Sequence, residues 1–255
     1  QYLMEDFYYA GGVPALMGRI KGLLDLDSIT ITGRTLGENI AGHVVHNEDI
    51  IRPVDNPLDP EGGLAVLHGN IAPTGAIIKP TAASQELMVH KGKAIVFEDH
   101  EDLGKRIDDP DLEVSPDDIL VMKNSGPVGG PGMPEWGFLP IPKKILATGV
   151  RDMVRLSDAR MSGTAFGTVV VHVTPESAGG GPLSAIRDGD MIEIDVPNRK
   201  LNLMITSDEL EERLSTHKNG APEFKRGYKW LHAQHILQAD KGCDFDFLRS
   251  ESLQN

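Results

Sequence analysis

Two short stretches of this sequence hold side chains in settings where they could do chemistry. In the first, residues 124–137 (NSGPVGGPGMPEWG), five of fourteen residues are Gly and three are Pro. Glycine permits positive φ and lets backbone N–H groups approach an anion, while proline limits the freedom that glycine brings. A carboxylate or a phosphate suits such a cradle. Glu135 is the one ionisable side chain within it, set between Pro134 and Trp136, where partial desolvation makes a lone carboxylate costly unless it meets a cation. Mg²⁺, which takes a few carboxylate oxygens together with substrate oxygens and water, meets that need; a surface Glu in a turn is the other reading. The stretch has neither the Gly-Lys-Ser/Thr ending of a P-loop nor the strand, G-x-G-x-x-G and helix of a dinucleotide site, which argues against nucleotide binding.

The second stretch is 157–167 (SDARMSGTAFG), between strand-like DMVRL and TVVVHV. Ser162 precedes Gly163, so a hydroxyl is presented where the backbone can turn sharply, as a nucleophile or a base would be. A purely structural Ser-Gly turn is the competing reading. The residue two before Ser162 is Arg160, which departs from the G-x-S-x-G elbow of hydrolases. Asp158 and Arg160 are expected to pair across the loop. The nine His residues show no zinc spacing: His43 and His46 lie three apart, and His232 and His235 share a helical face, without the flanking carboxylate or Cys pattern of a zinc signature. They read as surface or packing residues. Cys243 is the only thiol, so the chain can form neither an internal disulfide nor an all-Cys metal site. Lys241 nearby could lower its pKa, yet a single thiol of this kind is expected to be inert.

The elements that must position these loops follow from the patterning. Leu3, Phe7, Val13, Leu16, Met17, Ile20, Leu23 and Leu24 recur at helical spacing, broken by Gly11, Gly12 and Pro14 into a helical hairpin. SITITGRT suggests a strand and turn, TLGENIAG a helical turn, and HNEDIIRPVDNPLDPEGG a linker. From Leu64 onward, LAVLHG, GAIIK, KAIVF, DILVM, TVVVHV, MIEIDV and LNLMIT read as short strands. Many short strands with few long helices predict a mainly β fold, a barrel or sandwich with peripheral helices, rather than a doubly wound parallel sheet. Helices are expected at 99–106, 140–148, 207–215 and 226–240, with Ser207 as the N-cap of the third. The ten carboxylates of 98–118 face only Lys105 and Arg106 and read as a solvated face.

With 255 residues, 40% of them apolar, and a net charge of −13, the chain suits a folded, soluble protein and lacks the basic surface of a nucleic-acid binder. No apolar run approaches the ~20 residues of a membrane helix. Single-Cys usage fits a cytoplasmic protein, and the opening residues, without an initiator Met, read as the interior of a longer chain.

Together with TITGRTLGENI, LAVLHGNIAPTGAIIKPTA and VVHVTPESAGGGPLSAIRDGDMIEIDVPNR, the two loops resemble the dihydroxy-acid and 6-phosphogluconate dehydratase family across essentially the whole chain. DARMSGTAFG and QADKGCDFDFL are most similar to the branch that dehydrates sugar acids such as arabinonate and xylonate. The resemblance implies a hydro-lyase that takes water from a 2,3-dihydroxy carboxylate and yields a 2-keto-3-deoxy acid. It implies an iron-sulfur cluster ([2Fe-2S] or [4Fe-4S]) as Lewis acid on the 3-hydroxyl and Mg²⁺ at the substrate carboxylate. Glu135 falls on the family's Mg²⁺ ligand, Ser162 on the serine that takes the C2 proton as an alkoxide, and Thr164 is a candidate substrate contact. An alkoxide base demands nearby cations, because a free serine hydroxyl is a very weak acid.

The family's three cluster cysteines and remaining Mg²⁺ ligands, a carboxylated Lys among them, belong to an N-terminal α/β domain that this chain does not contain, and Cys243 matches none of them. The expectation is therefore a C-terminal portion. Residues 1–60 would be the α-helical tail of the N-terminal α/β domain and a linker, and 61–255 a β/β/α swivel-type barrel similar to that of aconitase-like proteins. The portion is expected to be inactive alone, partnered by its own N-terminal domain, and part of a homo-oligomer, a dimer or tetramer. Two other readings are a dihydroxy-acid dehydratase of branched-chain amino-acid synthesis and a noncatalytic β-barrel module binding a small carboxylate.

Overall fold

The computed structural model describes residues 2–163, 165–216 and 224–248. The chain divides into two units, Gln1–Gly62 and Gly63–Asn255. In the first, α1 (Met4–Tyr9) and α2 (Gly12–Arg19) form the expected helical hairpin, hinged at Gly11 with φ +123°. The short α3 (Leu36–Ile40) starts with a capping box: the Thr35 hydroxyl accepts the Glu38 N–H at 3.1 Å, and the Glu38 carboxylate accepts the Thr35 N–H at 2.8 Å. SITITGRT is a tight turn with one bridge, Ile29 to Thr35, and no strand of its own. Ala10, Ala15 and Ile51 make a small core for this unit.

In the second unit eight strands form one mixed sheet that is nearly closed into a barrel: β1 (Ala65–Leu67), β2 (Gly75–Ile78), β3 (Val89–Phe97), β4 (Ile119–Met122), β5 (Arg155–Ser157), β6 (Val169–Thr174), β7 (Met191–Asp195) and β8 (Lys200–Leu203). Their spatial order is β1-β2-β6-β5-β4-β3-β7-β8. His68, just after β1, closes the ring against β8, its N–H donating to the Arg199 carbonyl and its carbonyl accepting the Leu201 N–H, both at 2.9 Å. The fold is thus mainly β with peripheral helices.

Alternation along β4 explains why both faces of the wall are apolar. Ile119 and Val121 point into the barrel with Leu67, Ile78, Val170, Ile192 and Leu201. Leu120 and Met122 point outward, into a second core shared with Leu103 and Ile107 of and beside α4 (His100–Arg106) and Ile145 of α5 (Lys143–Ala147). A strand buried on both faces reads as a continuous apolar run, as ILVM does. The remaining helices are α6 (Ser207–Thr216) and α7 (Tyr228–His235). The N-cap of α6 is Thr206 rather than Ser207: the Thr206 hydroxyl accepts the Glu209 N–H at 3.2 Å, one residue ahead of the expected position. Among the described residues, no helix is long and apolar enough to cross a membrane.

Candidate active site

Strands β3, β4, β5 and β6 are neighbours and all parallel, so their carboxyl ends lie at one end of the barrel. In parallel sheets this is the end where ligands bind, because the following loops converge there. The loop after β4 carries Glu135, the loop after β5 carries Ser162, and the loop after β6 carries Glu176 and Ser177.

Three loops of this kind need a common support, and Asp158 supplies it. Its side chain is fully buried. One carboxylate oxygen accepts the Ser125 N–H at 2.9 Å, and the other accepts the Ser177 N–H at 2.9 Å and the Ser177 hydroxyl at 2.5 Å. The Ser177 hydroxyl in turn accepts the Asn124 N–H at 2.8 Å. Burial pushes the Asp158 carboxyl above the usual range, and the Ser177 and Ser125 donors pull it back. The expected pairing of Asp158 with Arg160 is therefore wrong: Asp158 faces inward to backbone donors, and Arg160 turns to the other loop.

There Arg160 donates to the Glu135 carboxylate at 2.8 Å and to the Met133 carbonyl, and its own carbonyl accepts the Gly137 N–H at 2.8 Å. Glu135 and Arg160 are both about half exposed, 52% and 40% for their side chains, so this pair is solvent-screened and positions more than it stabilises. Trp136 stacks on His100, with ring centroids 4.4 Å apart, which fixes the far side of the loop.

The anion cradle expected in 124–137 exists, and its anion is internal. Glu176 is 1% exposed, and its carboxylate accepts the Val128 N–H at 2.9 Å, the Gly129 N–H at 3.0 Å and the Gln238 side-chain amide at 2.6 Å. A Cβ at Gly126 would lie 2.6 Å from a Glu176 oxygen, so glycine is required for the loop to close over the carboxylate. Burial holds this carboxyl above its ordinary range against those donors, and the charge of Asp158 adds to the rise. His232 of α7 is buried against the same loop, its Nε2 3.1 Å from the Pro127 carbonyl and 3.3 Å from the Gly132 nitrogen. It is a packing residue.

Ser162 is partly exposed and opens a turn, its carbonyl accepting the Ala165 N–H at 3.1 Å. It lies two residues after Arg160, so the Glu135 loop and the Ser162 loop meet through that arginine. The carbonyl of Gly163 accepts from the Lys79 ammonium at 2.8 Å. Thr164 lies outside the described residues. At the edge of this region His172 occupies a β-bulge with φ +53°, and its buried Nδ1 has no hydrogen-bond partner among the described residues. Burial, then the charge of Arg160, lowers its pKa. The sequence patterns do not single out Lys79, Glu176 or His172; a Glu three residues before the Gly179–Gly181 run was the one available signal for the second.

The donor set suits one of the two inorganic groups that the resemblance implies. Mg²⁺ is commonly held by one or two carboxylates with substrate and water oxygens, and the half-exposed Glu135 carboxylate fits as one such ligand. Among the described residues no three His, Cys, Asp or Glu gather as a complete metal site. An iron-sulfur cluster needs several thiolates, and the chain does not fit it. Its one thiol, Cys243, has its pKa raised by burial and by the charges of Glu176 and Asp240, the reverse of the lowering that Lys241 suggested.

Comparison with known proteins places this geometry in context. A family described as Dihydroxy-acid/6-phosphogluconate dehydratase C-terminal matches residues 49–243, and one described as Dihydroxy-acid/6-phosphogluconate dehydratase N-terminal matches residues 1–39. The chain is 50% identical over 251 residues to an L-arabinonate dehydratase of Rhizobium leguminosarum bv. trifolii (strain WSM2304), covering 98% of the chain and 43% of the relative. It is 48% identical over 251 residues to a 6-deoxy-6-sulfo-D-gluconate dehydratase of Pseudomonas putida, covering 97% and 43%. A dihydroxy-acid dehydratase of Acetivibrio thermocellus is 41% identical over 243 residues, covering 94% and 43%. The chain thus spans less than half the length of these curated relatives.

Proposed function

Because the chain belongs to the dihydroxy-acid/6-phosphogluconate dehydratase family, we propose that it is the C-terminal part of a cytoplasmic, homo-oligomeric hydro-lyase that dehydrates a sugar acid, an aldonate, to its 2-keto-3-deoxy acid. On this reading residues 1–60 are the tail of an N-terminal α/β domain and a linker, and the iron-sulfur cluster is held by that domain. The observation that carries the proposal is the Arg160 clamp, which joins the loop of Glu135 to the loop of Ser162 at the carboxyl end of the parallel strands. The higher identity to sugar-acid relatives than to the dihydroxy-acid relative favours the aldonate.

Glu135 would hold Mg²⁺, which when bound supplies positive charge to the substrate's carboxylate end. Ser162, as an alkoxide, takes the proton from C2; the C2–H electrons form the C2–C3 double bond as the 3-hydroxyl leaves with its bonding pair, and that hydroxide becomes water by taking the proton from the Ser162 hydroxyl, which restores the alkoxide. The enol then tautomerises to the keto acid. Arg160 keeps Glu135 in place and ties its loop to the loop that carries Ser162. Thr164 contacts the substrate. In the full-length protein, Ser162→Ala is expected to reduce kcat by about 10³-fold with little change in KM. Glu135→Gln is expected to weaken Mg²⁺ dependence and activity together. Keto-acid production is measured from aldonates and from a branched 2,3-dihydroxy acid; turnover of the branched acid alone would move the assignment to the amino-acid pathway enzyme, and an active Ser162→Ala protein would remove the serine from the mechanism.

A further inference from the structure

We infer that Lys79 is a positioning residue for the Ser162 base, an inference that rests on the reading of Ser162 just given. Lys79 follows β2 directly and precedes Pro80, which opens a 3₁₀ turn over Pro80–Ala82. Its backbone is therefore pinned on both sides: β2 is paired with β1 and β6, and Pro80 has a fixed φ. From there the ammonium reaches 84 positions along the sequence to the Gly163 carbonyl, at 2.8 Å. A hydrogen bond from a charged donor is stronger and shorter than a neutral one.

The acceptor lies in the Ser162 loop. Among its described residues this loop has no helix or strand between Ser157 and Val169, and it runs from the carboxyl end of β5 back to the start of β6. Arg160 holds it at the Glu135 loop, and the Gly167 N–H donates to the Ala82 carbonyl at 2.7 Å. The serine sits between these two anchors. Lys79 acts on the next residue, in the turn that the Ser162 carbonyl closes with the Ala165 N–H. Rotation of the backbone at Gly163 would re-aim the turn that carries the Ser162 hydroxyl, and the Lys79 contact to the Gly163 carbonyl opposes that rotation. The same contact places the Lys79 ammonium on the residue that directly follows the serine.

The test uses the full-length enzyme with Lys79→Met, Lys79→Arg and Ser162→Ala, assayed with an aldonate and with the same aldonate deuterated at C2. Lys79→Met is expected to lower kcat about 10–100-fold with KM within about threefold, the pattern of a misplaced catalytic group. It is also expected to enlarge the deuterium isotope effect on kcat, because C2–H cleavage becomes slower relative to the other steps. Lys79→Arg, which keeps a cationic donor, restores most of kcat. Hydrogen exchange over 160–167 should rise in Lys79→Met and return in Lys79→Arg. A Lys79→Met protein with unchanged kcat and isotope effect, beside an inactive Ser162→Ala protein, would overturn the role of Lys79 alone. Loss of activity that Lys79→Arg does not restore and that leaves the isotope effect unchanged would make Lys79 merely structural and also overturn it. An active Ser162→Ala protein would remove the base itself.

Discussion

Asp158 offers two oxygens to three donors, one from Ser125 in the loop after β4 and two from Ser177 in the loop after β6. An isosteric amide keeps one acceptor and turns an N–H₂ toward another donor. Asp158→Asn therefore leaves at least one buried donor of Ser125 or Ser177 unpaired, at a cost of about 2–3 kcal/mol. The midpoint of urea denaturation is expected to fall accordingly, with the slope unchanged. A loss below about 0.5 kcal/mol would mean that the three loops keep their places without this carboxylate. The sequence placed Asp158 in a chemically suggestive loop, but its neighbour Arg160 made a local ion pair the obvious reading. Nothing local distinguishes a carboxylate that looks outward from one that serves serines 33 and 19 positions away.

At the scale of elements, legibility followed the apolar runs. Seven strands announce themselves as apolar stretches, and β5 (RLS) shows only as the end of strand-like DMVRL, with Arg155 lying in the interior at 2% exposure. Its guanidinium is accepted by Asp152 at 2.9 Å and by the Leu139 carbonyl at 3.1 Å, partners that a pattern of hydrophobicity does not reveal. The Gly-rich loop was legible as an anion cradle, but its occupant comes from the loop after β6, about fifty residues on. That occupant makes the loop's stability depend on pH. Burial, and then Asp158, hold the Glu176 carboxyl above its ordinary range, so the folded chain keeps this proton more tightly than the unfolded chain does. The resulting stability is complete below the unfolded pKa of about 4.3 and is lost as pH rises through the folded value. Glu176→Gln does not titrate at this position. The stability of the natural chain relative to this variant is therefore expected to decline from pH ~4 to neutrality, as read by urea titrations at several pH values. A relative stability that climbs instead would show the Val128 and Gly129 donors outweighing burial.

At the scale of the second unit, barrel closure rests on few groups, and they leave the opposite job to the loops. Beyond the His68 bridge, the Asn70 side chain accepts the Leu203 N–H at 2.7 Å and donates to the Leu203 carbonyl at 2.8 Å, while a Cβ at Gly69 would fall 1.9 Å from the Leu201 carbonyl oxygen. Backbone thus packs on backbone where β1 meets β8, and the ring that results is a rigid frame filled by apolar side chains. Its described interior is an apolar cluster, and on the proposed reading chemistry is left to the loops at the carboxyl ends of the parallel strands. On that reading those loops offer one carboxylate ligand, Glu135, and one hydroxyl base, Ser162, while burial and then the charges of Glu176 and Asp240 push up the pKa of the half-buried Cys243 thiol. The proposed reaction has two further needs, a Lewis acid for the 3-hydroxyl and the remaining oxygens around Mg²⁺. The chain alone is accordingly expected to fold its barrel, shown by a cooperative urea transition, and to form no keto acid from any aldonate. The remaining part of the full-length enzyme, supplied as a separate polypeptide with its metals, is expected to restore turnover. Keto-acid formation by the chain alone, abolished by Ser162→Ala, would show that the Glu135 and Ser162 loops suffice, and the division of labour between barrel and partner domain would have to be abandoned.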